Sequence, residues 1–179
     1  AYAALIAFEG GAFASLTYSG YGRFDGDTFC GDISELGVRK DPRDYGIARR
    51  RLAQVQTPAA EAAAKAARGF GGSAAATPTV AAYEHFGFVL VCCDKADLRP
   101  TPEGVAVYRD DAVAFEALPP PRVTRGVVID EMWNGIIHGR PPLHDARWGA
   151  ATIEACLALR TSAREGRDVA LREQVRARA

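Results

Sequence analysis

Residue types suited to chemistry cluster in the segment HGRPPLHDARWG, which places two histidines and an aspartate around a double proline. His138, His144 and Asp145 belong to the types that ligate metal ions or transfer protons. The local pattern also has a structural explanation. Gly139 stands where one helix ends, the double proline prevents its continuation, and Asp145 is a suitable N-cap for the next helix. The segment therefore predicts a helix–corner–helix joint; the alternative, a small metalloenzyme that uses His138 and His144, requires bound zinc.

Signatures of nucleotide binding and covalent catalysis are incomplete in this sequence. The segment SGYGRFDG has Gly20 and Gly22 at the first two places of a dinucleotide fingerprint, but Asp25 stands at the third place and a loop follows. The adjacent cysteines of the VLVCCD run have only His85 nearby, an arrangement more typical of a protein core than of a nucleophile. No G-x-S-x-G motif occurs. We therefore assign no catalytic, cofactor-binding or metal-binding residue.

The polar cluster best suited to ligand binding lies on a long loop that follows the first predicted hairpin. Long loops that leave a rigid sheet commonly carry binding groups, and arginine can hold a carboxylate through two parallel hydrogen bonds. The alternative is a solvated loop with local ion pairs, such as Lys40 with Asp41. The candidate substrate-binding residues are Tyr21, Arg23, Asp25, Arg39 and Lys40.

The overall composition predicts a globular domain whose balanced net charge attracts neither nucleic acid nor an anionic membrane. Of 179 residues, 48% are hydrophobic and 25% are charged, which is ordinary for a folded soluble protein. Lysine and arginine total 22, as do aspartate and glutamate, so the net charge does not favour binding to nucleic acid or an anionic membrane. No apolar run is long enough for a membrane span.

Cysteine usage and the first residues carry further expectations. The four cysteines include no C-x-x-C pair, which favours reduced thiols in a cytoplasmic protein. The opening AYAALIAFEG lacks the charged region of a signal peptide and resembles a strand already under way. We therefore expect the chain to be a piece of a longer protein.

Hydrophobic patterns predict an early hairpin, a strong strand and a second hairpin. The first hairpin has strands over Tyr2–Phe8 and Ala12–Tyr18 around the turn EGG. Both side-chain sets of its first strand are apolar, so both faces need cover. The unbroken apolar run in Tyr83–Asp94 predicts a central strand. The second hairpin, GVAVYRDDAVAFEAL, turns at Asp110 and Asp111.

Helices dominate the remainder, and they set the predicted fold class. The alanine- and glycine-rich segment 55–80 predicts a surface helix with a mobile connection, and GRDVALREQV predicts a short final strand or an extended tail. The fold is therefore α+β, an open and mostly antiparallel sheet with helices on one face and the other face available for dimerisation. The predicted helices cover Asp44–Gln54, a stretch that begins at Thr57, Thr124–His138 and Asp145–Glu165.

Three segments together resemble the C-terminal half of Gfo/Idh/MocA-type oxidoreductases, in particular the branch similar to phthalate 4,5-dihydrodiol dehydrogenase. They are LTYSGYGRFDGDTFCGDISELGVRKDPRDYGIARR, DLRPTPEGVAVY and VIDEMWNGIIHGRPPLHDARWGAATIEACLALRTSAREGRDVAL. The closing pattern, a proline-rich corner, H-D, a helix and S-A-R-x-G-R-x-V-x-L, is typical of the superfamily. The G-x-R-K-D-P segment is more specific to the branch.

The resemblance implies a division of tasks between two domains. In this family an N-terminal Rossmann domain binds NAD or NADP, and a C-terminal domain with an open antiparallel sheet shapes the substrate pocket and the oligomer interface. The catalytic lysine of the family's E-K-P motif belongs to the nucleotide-binding half and has no counterpart in this sequence. His144 and Asp145 match the family's closing corner and not its active-site pair.

The resulting hypothesis is that residues 1–179 form the C-terminal substrate and oligomerisation domain of an NAD(P)-dependent oxidoreductase. The intact protein would act on a CH–OH or dihydrodiol substrate, would bind NAD or NADP through the missing N-terminal domain, and would form a homo-oligomer through the sheet face. The chain alone should be inactive. The alternative hypothesis is a free-standing, non-catalytic dimeric binding or scaffold module of the same fold.

Overall fold

The computed structural model describes residues 1–69, 72, 82–123 and 125–175 of the chain. Its backbone divides into two compact units, one of Ala1–Tyr21 with Val127–Ala179 and the other of Gly22–Gly126. The elements in chain order are β1 (Tyr2–Ala7), β2 (Phe13–Tyr18), α1 (Ile47–Ala53), α2 (Pro58–Arg68), β3 (Val91–Cys92), β4 (Asp97–Thr101), β5 (Gly104–Tyr108), β6 (Val113–Ala117), α3 (Gly126–His138) and α4 (Ala146–Glu165). Within the described residues, no helix has the length and apolar character of a membrane span.

The first unit begins with the predicted hairpin. Strands β1 and β2 pair antiparallel with Leu5 opposite Ser15, and the turn places Gly10 and Gly11 at φ values of +90° and +88°, which favour glycine. On one face the rings of Tyr2 and Tyr18 stack with centroids 5.6 Å apart. The hairpin prediction is confirmed, including its apolar side chains on both faces.

Helices α3 and α4 of the same unit are joined by the predicted corner. Gly139 has a φ of +62° immediately after α3, and the Asp145 side chain accepts hydrogen bonds from the backbone N–H groups of Arg147 and Trp148. These are the helix end and N-cap that the sequence predicts. After α4 the tail is extended without strand pairing among the described residues, and the Glu154 carboxylate accepts N–H hydrogen bonds from Arg172 and Glu173 at 2.7 Å.

The second unit contains a four-stranded antiparallel sheet in the order β3-β4-β5-β6. The hairpin of β5 and β6 turns at the predicted pair Asp110 and Asp111. Strand β4 was not predicted, because Pro100 and the flanking charges of DLRPT weaken its strand pattern. It pairs with β5 through a two-residue turn, with Thr101 opposite Gly104.

The predicted central strand is wrong in both length and place. Of Tyr83–Asp94, only the two residues of β3 form a strand, and they lie at the edge of the sheet. Gly87 at a φ of +98° breaks the extended backbone, and its N–H donates to Nδ1 of His85 at 2.9 Å. Phe86, inside the predicted run, is fully exposed. An apolar run indicates a strand, but it does not show whether a partner strand lies on each side.

The long loop before α1 packs on the segment that leads to β3, and this contact forms the small core of the second unit. Ile33 is fully buried, Cys30 and Ala82 are nearly so, and the N–H of Ala82 donates to the Gly37 carbonyl at 3.1 Å. A 3₁₀ helix over Gly26–Cys30 and a bridge between Ile33 and Arg39 organise a loop that the sequence indicated only as irregular.

The α+β class with an open, antiparallel sheet is confirmed; helical cover over one face stays a prediction. Helix α1 is shorter than the predicted Asp44–Gln54, since Pro42–Asp44 forms a separate 3₁₀ turn. Helix α2 begins as predicted, with the Thr57 hydroxyl accepting from the Ala60 N–H at 3.1 Å and with Glu61 paired to Lys65. Within the connection predicted in segment 55–80, residues 70, 71 and 73–80 lie outside the described residues.

Candidate functional site

Two of the predicted substrate-binding residues form an ion-pair network inside their own loop. The Lys40 ammonium pairs with the Asp25 carboxylate and lies 3.0 Å from the carboxylate of Asp27. Asp25 is also the N-cap of the 3₁₀ helix, because its side chain accepts from the Asp27 N–H. The network therefore connects the two ends of the loop, and Lys40 already has two carboxylates as partners.

The protonation states of this network follow from its contacts. The hydrogen bond from Lys40, against the opposing effect of burial, lowers the pKa of the Asp25 carboxyl below its ordinary value. Burial by itself would lower the pKa of the Lys40 ammonium, but its hydrogen bonds to Asp25 and Asp27 outweigh burial and raise it. Both groups are charged at neutral pH. The structure thus gives Lys40 two carboxylate partners within its own loop.

The remaining predicted residues are more exposed. The Arg39 guanidinium donates to the Gly31 carbonyl at 3.1 Å and pairs with Glu103 at 3.3 Å while its side chain remains 59% exposed. Arg23 is exposed, and within the described part of the chain its guanidinium has no hydrogen bond or ion pair. Tyr21 is 82% exposed and belongs to the first unit.

The same loop holds a buried cysteine–histidine contact that the sequence did not reveal. Sγ of Cys30 lies 3.4 Å from Nδ1 of His85, and Nε2 of His85 lies 2.7 Å from the Ile33 carbonyl oxygen and 3.7 Å from an Asp27 carboxylate oxygen. Only the fold brings Cys30 and His85 together, since 55 residues separate them. A cysteine, a histidine and an aspartate in one network are the residue types of a nucleophilic site.

The hydrogen bonds show that this contact is structural. The Gly87 N–H donates to Nδ1 of His85, so Nδ1 carries no proton and Nε2 donates to the Ile33 carbonyl. Burial, reinforced by the charge of Asp27, raises the pKa of the Cys30 thiol, although Arg99 opposes this. A thiol that is buried and protonated is a poor nucleophile. The contact fixes the loop to the segment before β3.

At the helix corner, the two histidines do not act together. The Glu131 carboxylate accepts from the His144 N–H and from its Nδ1, both at 2.8 Å, and these hydrogen bonds lower the pKa of Glu131. The His144 ring meets Trp148 edge to face at 5.2 Å. His138 lies in the last turn of α3. Among the described residues, no group of three or more histidine, cysteine or acidic side chains is arranged to hold a metal ion.

An aromatic cluster in the second unit escaped the sequence analysis. The ring centroids of Phe24 and Phe29 lie 5.3 Å apart, and those of Phe29 and Phe88 lie 5.7 Å apart. The Arg99 guanidinium lies 5.4 Å from the centroid of Phe88 and donates to the Phe29 carbonyl. We call Phe24, Phe29 and Phe88 the aromatic cluster. The sequence indicates this cluster only in that Phe24 stands between the predicted site residues Arg23 and Asp25.

Neither the glycine-rich loop nor the cavity beside α4 suits a nucleotide. Gly20 and Gly22 lead into the 3₁₀ helix Gly26–Cys30 and not into an α-helix whose N-terminus would face a pyrophosphate. A cavity of about 420 Å³ between α4 and the tail is lined mainly by apolar side chains. Its charged lining residue, Glu154, already accepts two backbone hydrogen bonds. The described residues at these two places therefore do not fit a nicotinamide dinucleotide.

Comparison with known proteins identifies what the chain resembles. No family model matches it. It is 36% identical over 162 residues to a 1-carboxy-3-chloro-3,4-dihydroxycyclohexa-1,5-diene dehydrogenase of Comamonas testosteroni, a match that covers 89% of this chain and 41% of the relative. The resemblance predicted from the sequence is confirmed. The chain matches about two fifths of the length of this dehydrogenase.

A solved structure leads to the same result. A Bordetella bronchiseptica RB50 protein described as a dehydrogenase superposes with a TM-score of 0.75 at 40% sequence identity. The match covers 92% of this chain and 43% of that protein. The chain therefore spans about two fifths of the length of each of these two proteins.

Proposed function

We propose that the chain is the substrate-binding and subunit-contacting part of an NAD(P)-dependent dehydrogenase that oxidises a carboxylated dihydrodiol. The observation that carries this proposal is the 36% identity, across most of the chain, to an enzyme named for a carboxylated dihydroxycyclohexadiene. Both compared proteins are dehydrogenases by description, and both extend well beyond the matched portion.

Two exposed arginines of the long loop support a carboxylate substrate. Arg23 and Arg39 are exposed, and guanidinium groups bind carboxylates through paired, charge-assisted hydrogen bonds. Lys40 and Asp25 do not contact the substrate in this proposal, because their ion pair holds the shape of the loop. Tyr21 belongs to the first unit and is assigned no contact in this proposal. In this proposal, the arginines bind substrate and the Lys40 network positions them.

Contacts with other subunits are supported by exposed apolar side chains in the first unit. Helix α3 has one wide face of apolar residues, each of them more than half exposed, and the opposite face carries Glu131 of the helix corner. On the hairpin, Leu5 and Phe13 are each 72% exposed. Large exposed apolar surfaces mark interaction sites. The apolar face of α3 consists of Val128, Ile129, Met132, Trp133, Ile136 and Ile137.

The nicotinamide cofactor belongs, in this proposal, to protein outside residues 1–179. Bound there, it would accept the hydride from the substrate, while this chain would orient the substrate and limit its contact with water. None of the described residues is assigned a role in hydride transfer. The dehydrogenase activity is thus a property of the intact protein.

The test is a steady-state assay of the intact protein with NAD⁺ and NADP⁺ and a carboxylated cyclohexadiene diol, following the reduced nicotinamide by absorbance. The expected result is turnover with one of the two nicotinamides. Arg23→Ala should raise KM at least about tenfold with little change in kcat, since it removes a charge-assisted contact to the substrate. Arg43→Ala is the matched control, because Arg43 is exposed and pairs with Asp41. No turnover with either nicotinamide would refute the proposal.

A further inference from the structure

We propose that the aromatic cluster and Arg99 form a subsite that binds the substrate ring and adds a cation to the loop arginines that bind its carboxylate. This inference rests on the proposed function and names the surface that takes the flat, unsaturated ring. Every residue involved belongs to the second unit, so the subsite is complete within one part of the chain.

The rings of the cluster contact one another with neighbouring ring planes tilted by 49° and 58°. Their centroid separations of 5.3 Å and 5.7 Å lie in the range of favourable aromatic pairs. Phe24, Phe29 and Phe88 are nevertheless 67%, 51% and 54% exposed. Covering apolar rings that face water is favourable because it removes apolar surface from water. The rings of the cluster are already ordered, so binding costs them little conformational freedom.

Arg99 supplies the charge for a carboxylate at the same place. A guanidinium has five N–H donors, and the contact with the Phe29 carbonyl uses one of its nitrogens. Within the described residues no carboxylate pairs with Arg99. The Asp27 carboxylate, whose charge like that of Arg99 affects the pKa of the Cys30 thiol, is already paired with Lys40. The contacts with Phe29 and Phe88 hold the guanidinium in place before a ligand arrives.

This combination distinguishes a ligand subsite from a simple apolar contact. A flat ring that carries one carboxylate would lie against a phenyl ring of the cluster and neutralise Arg99 at the same time. An apolar surface of a second subunit would cover the rings but would leave the charge of the guanidinium desolvated without a carboxylate, which is unfavourable. The chemistry therefore favours an unsaturated cyclic carboxylate.

The test compares two probes on the intact protein by isothermal titration calorimetry. Benzoate has a flat ring and one carboxylate, whereas cyclohexanecarboxylate has the same charge and a puckered ring without a π face. The wild-type protein should bind benzoate about fivefold more tightly than cyclohexanecarboxylate, as expected for one aromatic stacking contact. Phe24→Leu should abolish this preference without weakening cyclohexanecarboxylate. Arg99→Gln should weaken both probes about tenfold or more.

A matched control variant separates stacking at the aromatic cluster from the general loss of an exposed ring. Phe86→Leu removes a fully exposed ring of the second unit that lies outside the cluster, and it should leave both affinities at the wild-type level. The inference is overturned if the wild-type protein shows no preference between the probes, if Phe24→Leu binds like wild type, or if Phe24→Leu instead shifts the sedimentation coefficient towards a smaller oligomer. If any of these results is found together with normal dehydrogenase activity, the proposed function stands and only this inference is rejected. If probe binding depends on the cluster but the protein shows no turnover with a nicotinamide, only the proposed function is rejected.

Discussion

Replacing Gly37 by alanine gives the sharpest test of the core of the second unit. Gly37 has a φ of +72°, and an added Cβ would lie 2.1 Å from the backbone oxygen of Ala82. Gly31 is the matched control: its φ is +68°, and nothing lies within 4 Å of an added Cβ. The two substitutions therefore impose the same backbone strain, and only the first adds a steric clash.

The expected magnitudes follow from this difference. Left-handed backbone costs a residue with a Cβ about 1–2 kcal/mol, part of which is offset by the reduced entropy of the unfolded chain. We expect Gly31→Ala to lower the free energy of unfolding by about 1 kcal/mol. Gly37→Ala must also move backbone apart and lose the 3.1 Å hydrogen bond from the Ala82 N–H. This adds about 2 kcal/mol or more, for a total of about 3 kcal/mol.

Urea denaturation of the purified chain, followed by circular dichroism, measures both variants against wild type. The reasoning is refuted if Gly37→Ala and Gly31→Ala are destabilised equally, because the close approach of Gly37 to Ala82 would then be absent in solution.

Three further predictions test the contacts of the second unit. Lys40→Met should destabilise the protein by about 1–2 kcal/mol at neutral pH, because it leaves two carboxylates unpaired. Lys40 lowers the pKa of Asp25 in the folded state, so this stabilisation exists above the unfolded pKa of about 3.9 and disappears as pH falls through the folded pKa. If the destabilisation caused by Lys40→Met stayed constant into acid, the assignment would be wrong. His85→Ala should cost about 2–3 kcal/mol by thermal or urea unfolding, because the Gly87 N–H and the Ile33 carbonyl lose their partner; a neutral effect would show that these bonds are not made. In alkylation with iodoacetamide, read by peptide mass spectrometry, Cys93 and Cys156 should react well before Cys30, and early labelling of Cys30 would disprove its burial.

Features set by local chemistry were predicted well from the sequence. The hairpin turn depends on two adjacent glycines, the corner on Gly139 and a double proline, and the α4 N-cap on Asp145. Each of these is decided by residues a few positions apart. The helix and hairpin boundaries accordingly agree with the structure to within a few residues.

Features set by distant contacts were not predicted. The edge position of β3 and the existence of β4 depend on which strands find partners, and a run of apolar residues carries no such information. The Cys30–His85 contact and the Phe29–Phe88 ring contact join residues more than 50 positions apart. For the same reason the contacts of Arg99 with Phe29 and Phe88 were not predicted.

The most direct test of the account is hydrogen–deuterium exchange of the intact protein with and without saturating NAD⁺ or NADP⁺. Our account assigns the substrate to this chain and the nicotinamide to the rest of the protein, so the largest protection should fall on peptides outside residues 1–179. If nicotinamide instead protects mainly peptides of this chain, such as those around Gly20 and Gly22, the proposed division between substrate and cofactor binding is wrong.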